Sequence, residues 1–155
     1  MNVVLVEPEI PPNTGNVARL CAATMTSLHL IEPLGFELSD RTLKRAGMDY
    51  WQHVEWRTWP DWMEFSKHAE GQGRVWFVES DGPNRYSDVK FGADDFLVFG
   101  RETAGLPKGL LERADERWLR LPMFNPDSRS LNLSNCVSVV LFEALRQQGF
   151  SGEID

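Results

Sequence analysis

The chain has 155 residues, 42% of them hydrophobic and 25% charged, with a formal net charge of −7. That balance suits one globular domain over residues 1–155 and excludes a disordered chain, and no apolar run approaches the roughly 18–20 residues of a membrane span. The acidic charge, taken alone, argues against a nucleic-acid partner, because phosphate binding needs a basic face, but net charge does not say where the charges sit.

In chain order, Asn2–Glu7 is a Val-rich apolar run that suits a buried parallel strand. It follows Met1 with no basic n-region, so no secretory signal is expected and the cytoplasm is the expected compartment. Pro8, Pro11 and Pro12 interrupt regular structure, and Asn13-Thr14-Gly15-Asn16 supplies helix-start residues. Val17, Leu20, Cys21 and Thr24 then fall on one helical face. Leu28–Ile31 is a second strand, completing a βαβ unit. A basic segment with Arg41, Lys44 and Arg45 ends at Gly47, and Tyr50–Trp62 holds four of the six tryptophans. Their expected place is mostly in the core rather than against a base.

A strand near 53–57 and a helix near 61–69 are predicted next. Strands follow at Arg74–Glu79 and Asp95–Gly100, separated by a loop at Ser80–Asn84. Pro107–Arg113 reads as a helix with proline in its first turn. Trp118–Leu121 is a short strand and Asn125–Ser130 a polar loop. Leu133–Gln148 is a long helix, apolar at Val137, Val140, Leu141, Ala144 and Leu145 and closed by Gly149. Strands alternating with helices give the class: α/β, with a mostly parallel sheet and helices on both faces.

Three loops follow predicted strands, where ligands bind in open α/β sheets. The first is Pro8–Arg19, with Asn13, Asn16 and Arg19; its simple reading is a stiff turn with an Asn13–Thr14 helix cap. The second is Gly100–Pro107, with Glu102 between two glycines. The third is Pro122–Asn135, where Ser, Asn and Leu alternate at a helix entry beyond what capping requires. The sequence lacks a Gly-x-Gly-x-x-Gly dinucleotide fingerprint, a phosphate loop and a Gly-x-Ser-x-Gly elbow. His29, His53 and His68 show no metal-ligand spacing, and no metal is expected. Cys21 and Cys136 read as small buried hydrophobes. The residues alone lead to a small α/β ligand-binding enzyme without a metal.

Taken together, Glu7–Asn16 with Arg19-Leu20-Cys21, Phe99-Gly100-x-Glu102-Thr103-x-Gly105-Leu106-Pro107, and Pro122-Met123 followed by Ser128–Asn135 resemble the SPOUT class of RNA methyltransferases. The likeness runs from about Asn2 to Gly149 and is strongest to the small members that methylate the ribose of the tRNA wobble nucleotide. It implies a C-terminal deep trefoil knot, an exception to the un-knotted rule. It implies S-adenosylmethionine bound at the strand ends Val78, Gly100 and Leu121, with Ser130 from the third loop and Glu79, Ser80, Met123 and the second-motif Glu102 beside them.

The same resemblance assigns catalysis to Arg19, Asn13, Ser130 and Asn132 in a homodimer whose sites include residues of both subunits. Arg19 suits a clamp on phosphate and oxygen better than a base, since a guanidinium does not give up its proton. The partner implied is the anticodon stem-loop of a tRNA, a leucine tRNA with cytidine or uridine at the wobble position. Arg19, Arg41, Lys44, Arg45, Arg101 and Arg129 are the candidates to hold it, in a local basic cleft on an otherwise acidic dimer. Two other readings remain: a methyltransferase of this class acting on another RNA position, and a non-catalytic RNA-binding module. A flavodoxin-like protein is more distant.

Overall fold

The computed structural model describes residues 1–39, 51–111 and 115–154. Its elements are β1 (Asn2–Val6), α1 (Pro11–Thr24), β2 (Ser27–Ile31), β3 (Trp56–Trp59), α2 (Trp62–Ala69), β4 (Val75–Val78), β5 (Asn84–Arg85), β6 (Phe96–Phe99), α3 (Lys108–Leu111), β7 (Trp118–Arg120) and α4 (Leu133–Gln147). The strands form one sheet in the order β3-β2-β1-β6-β4-β7-β5. Every pairing is parallel, so the expected mostly parallel sheet is wholly so.

Strand periodicity divides the apolar residues between two faces. Val3, Leu5, Leu28, Leu30, Val78, Leu97, Phe99 and Leu119 point to one face, where α1 (Val17, Ala18, Cys21) and α4 (Val137, Val140, Leu141, Ala144) cover them. Val4, Val6, Ile31, Phe77, Phe96 and Val98 point to the other, under Phe65 and Ala69 of α2 and Leu106. Burial on both faces explains why the strands read as unbroken apolar runs. Among the described residues no helix is long and apolar enough to cross a membrane.

Several boundaries differ from the sequence reading. Helix α1 starts at Pro11, before the expected Asn13, with Ile10 as its N-cap. Prolines are acceptable there because the first-turn N–H groups have no helical partner to lose. Asn13 and Thr14 do not cap; their own backbone N–H groups donate to the Ile10 carbonyl at 3.0 and 3.3 Å. The strand expected near 53–57 is β3 at Trp56–Trp59, and Trp51–His53 is a 3-10 turn that sends Trp51 into the core. Strand β5 was not expected at all, since two residues carry no period. Of the tryptophans, Trp51, Trp59 and Trp76 are buried and Trp56 is exposed. Tyr50, Arg41, Lys44, Arg45 and Arg113 lie outside the described residues.

One buried titratable group ties the second core to pH. The Trp59 indole N–H donates to His29 Nδ1 at 3.1 Å, leaving Nε2 to face Asn2 Oδ1 at 3.4 Å. Burial, then the nearby His68 and Arg57 charges, push the His29 pKa down from 6.5 to about 4. The fold therefore holds the neutral ring, and its contribution is complete above pH 6.5 and shrinks as pH falls toward 4. Urea unfolding should show about 2 kcal/mol less stability at pH 5 than at pH 7.5. His29→Gln should flatten that slope; an unchanged slope in the variant would refute the assignment.

Candidate functional site

The carboxyl ends of β1, β6, β4 and β7 open onto one cavity of about 580 Å³. It lies where the chain's order across the sheet reverses, the usual place for a ligand in an open α/β sheet. All three sequence-singled loops reach it. Asn13, Val78, Glu79, Ser80, Gly100, Glu102, Leu121, Met123, Arg129, Ser130 and Asn132 line it. Ile10, Phe99, Thr103, Ala104, Gly105, Leu131, Leu133 and Cys136 line it as well and were not foreseen. Most are chain neighbours of foreseen residues. Cys136 is one helical turn beyond Asn132, a spacing that could have placed it.

The cavity's frame is a tight hairpin after β6. Arg101 and Gly105 exchange backbone hydrogen bonds of 3.2 and 2.9 Å, which folds the chain back on Gly100. Gly105 has φ +66°, and a Cβ there would stand 2.5 Å from Glu79 Oε1. Only glycine meets both demands.

Carboxylates from three strand ends pin this hairpin. Glu102 Oε2 accepts from the Glu9 N–H at 2.9 Å, while Oε1 accepts from the Ile10 N–H at 3.2 Å and the Asn13 amide at 3.1 Å. In return Glu9 accepts from the Thr103 N–H at 3.1 Å and from its hydroxyl at 2.8 Å. From the β4 side, Glu79 accepts from the Leu106 N–H. Burial raises the Glu79 pKa, and the neighbouring Asp81 adds to the rise against the lowering effect of the Leu106 bond. Arg120 fastens the loop beyond Glu79 by donating to the Gly82 carbonyl at 2.8 Å and to that of Pro83.

The third loop joins through amides. Asn132 Nδ2 donates to Asn13 Oδ1 at 3.0 Å, and Asn132 Oδ1 caps α4 by accepting from the Ser134 N–H at 2.9 Å. A continuous chain thus runs from Glu102 through Asn13 to Asn132 and into α4. Glu102, expected among the cofactor contacts, has both oxygens committed to the first loop.

Arg19 stands apart. It is exposed on α1 and does not line the cavity. Six residues beyond Asn13 is about 9 Å along the helix, leading away from the strand ends. Arg101 is paired with Glu7 at 3.2 Å, where Glu7 takes a left-handed φ of 52° as the chain leaves β1. Among the described residues that line the cavity, Arg129 is the cation. Cys21 is buried and its thiol is pushed up to about 12. Cys136, expected to be buried, is only half-buried because it borders the cavity.

Comparison with known proteins matches residues 1–142 to a family described as the SpoU rRNA Methylase family. The chain is 54% identical over 153 residues to a tRNA (cytidine(34)-2′-O)-methyltransferase of Burkholderia cenocepacia, covering 97% of each. It is 52% identical over 154 residues to a protein of the same name from Saccharophagus degradans, again covering 97% of each. A solved structure from work on 2-OH methylation of C/U34 on tRNA superposes with a TM-score of 0.90 at 44% identity, covering 96% of both chains. An AdoMet-bound rRNA methyltransferase from Sinorhizobium meliloti superposes with a TM-score of 0.81 at 25% identity, covering 94% of this chain and 55% of the other.

The pinned hairpin makes a local prediction. Glu102→Gln replaces one acceptor oxygen with a donor facing N–H groups. Amide hydrogen exchange at Glu9 and Ile10 should quicken at least about tenfold, while Val98 and Phe99 in β6 keep their protection. Unchanged exchange at Glu9 and Ile10 would show that the carboxylate does not hold the loop.

Proposed function

The chain belongs to the SpoU rRNA methylase family, and on that footing we propose that it transfers a methyl group from S-adenosylmethionine to the ribose 2′-oxygen of cytidine or uridine at tRNA position 34, on leucine tRNAs in the cytoplasm. The observation that carries this reading is the convergence of the three motif loops on one cavity through Glu102, Asn13 and Asn132.

The lining suits the cofactor. Val78, Phe99, Leu121 and Leu133 offer apolar surface for a flat ring. Ser80 and Ser130 offer hydroxyls for a sugar. When bound there, S-adenosylmethionine supplies an electrophilic methyl group. The protein's task is to hold the ribose oxygen in line with it, about 3–3.5 Å away, and to assist loss of the hydroxyl proton. Asn13 and Asn132 position one another and the wall behind that oxygen, and Ser130 orients the ribose. Arg19 clamps the adjoining phosphate and the ribose oxygen, so that the substrate phosphate or a nearby group, and not the guanidinium, takes the hydroxyl proton as the oxygen–methyl bond forms and the sulfur–methyl bond breaks. The resemblance-implied trefoil knot belongs to this proposal, supported by the loops after β4, β6 and β7 lining one cavity.

The place of Arg19 outside the cavity favours a dimer in which Arg19 of the partner subunit completes each site. Helices α1 and α4 lie on the same sheet face. On α4, Val139 and Phe142 are 38% and 49% exposed, opposite the buried Val137, Val140 and Leu141. These apolar groups are the proposed dimer surface.

Incubation of the purified protein with labelled S-adenosylmethionine and total tRNA, followed by mass mapping, should place the label on the 2′-oxygen of pyrimidine 34 in leucine tRNAs. Label at another position would favour a different RNA target, and no label would favour a binding module. Shared sites give a second prediction. Arg19→Ala and Asn132→Ala should each reduce activity at least about a hundredfold, yet their mixed dimer should regain activity from the one site that has both residues. A mixed dimer as inactive as its parents would place Arg19 and Asn132 in the same subunit's site.

A further inference from the structure

Among the described residues two carboxylates line the cavity, and they are neutralised to different degrees. Glu102 receives three N–H donors, which spread its charge into the first loop. Glu79 is half-buried, is held by backbone hydrogen bonds from Leu106 and Ser80, and has Asp81 rather than a cation as its charged neighbour. None of the ion pairs among the described residues includes it. Its position is also fixed: Gly105 packs against the carboxylate, and Arg120 fixes the loop that follows. The negative charge of Glu79 therefore faces the cavity with no cation beside it among the described residues.

A fixed carboxylate in a partly dehydrated cavity attracts a cationic ligand more than water would allow. Its own burial penalty shrinks when the cation arrives. The following step rests on the reading of the cavity as a cofactor site. S-adenosylmethionine carries a net charge of +1 through its sulfonium. The product left after methyl transfer, S-adenosylhomocysteine, has almost the same shape and no net charge. We propose that Glu79 is the residue by which the site distinguishes the two, favouring the sulfonium cofactor and easing departure of the neutral product. A carboxylate that simply bound the ribose hydroxyls shared by both ligands would hold both alike.

Calorimetry separates these cases without using activity. Glu79→Gln keeps the side chain's shape and an oxygen for the Leu106 N–H, and removes the charge while putting an amide donor in place of the other oxygen. The variant should bind S-adenosylmethionine about tenfold more weakly, with its affinity for S-adenosylhomocysteine changed less than about twofold. On the unaltered protein, sinefungin, which carries a protonated amine in place of the sulfonium, should bind like S-adenosylmethionine rather than like S-adenosylhomocysteine. This arm stands even if the variant fails to fold. Equal weakening of both ligands, or no change in either, would overturn the proposal, as would sinefungin binding like the neutral product. Absence of binding by all three ligands to the unaltered protein would instead remove the cofactor reading itself.

Discussion

The candidate site depends on one carboxylate. Glu102 sits on a hairpin after β6, and its two oxygens take donors from Glu9, Ile10 and Asn13 after β1. Strands β1 and β6 are parallel neighbours, so their following loops leave the sheet side by side. Nothing in a parallel pairing fixes how two such loops meet. A charged acceptor on one and N–H donors on the other do, because charge-assisted hydrogen bonds are stronger and shorter than neutral ones. The return contact from Thr103 to Glu9 closes the pair in both directions. With Asn13 held this way, its remaining oxygen is aimed at Asn132, and the entry of α4 is registered against the first loop.

This arrangement explains why the first turn of α1 is unusual. A helix normally receives a side-chain cap from its own N-cap residue. Ile10 cannot provide one, and Pro11 and Pro12 carry no N–H to be capped. The Glu102 carboxylate lies over this helix start and binds the Ile10 N–H and the Asn13 amide. The prolines stiffen the approach and the distant carboxylate replaces the cap, so Asn13 is freed for the site.

What could be read in advance follows from how far apart the interacting residues are. The buried strands and helices α1, α2 and α4 were legible because apolar periodicity is a local signal, carried by residues such as Val17, Phe65 and Val137. The two-residue β5 and the start of α1 were not, one for want of a period and the other because proline has two opposite meanings at a helix start. Motif resemblance located eleven cavity-lining residues, but it could not say what each one touches. Glu102 is 93 residues from Glu9, and no spacing rule reaches that far. The position of Arg19, exposed on α1 and outside the cavity, was illegible for a further reason: a motif match fixes residue order and not which way a helical side chain faces.

The acidic balance takes on a different meaning once these contacts are in view. Glu9 and Glu102 spend their charge on N–H groups of the loops that frame the site, and Glu79 holds the Leu106 N–H while its charge still faces the cavity. Asp95 does the same at the other end of the sheet, where it accepts from the Arg74 and Gly92 N–H groups and from the Trp76 indole. A share of the net −7 is therefore structural and says nothing against a polyanionic partner. The consequence is a division of labour by sign. Anions at the cavity organise the loops, and on the proposed function they suit a cationic cofactor while Arg129 at the lining, with Arg19 in the proposed dimer, would meet the phosphates. A site built in that way needs no basic surface overall. It needs only that the acidic residues be paired with N–H donors where RNA would approach, so that the few arginines set the local field.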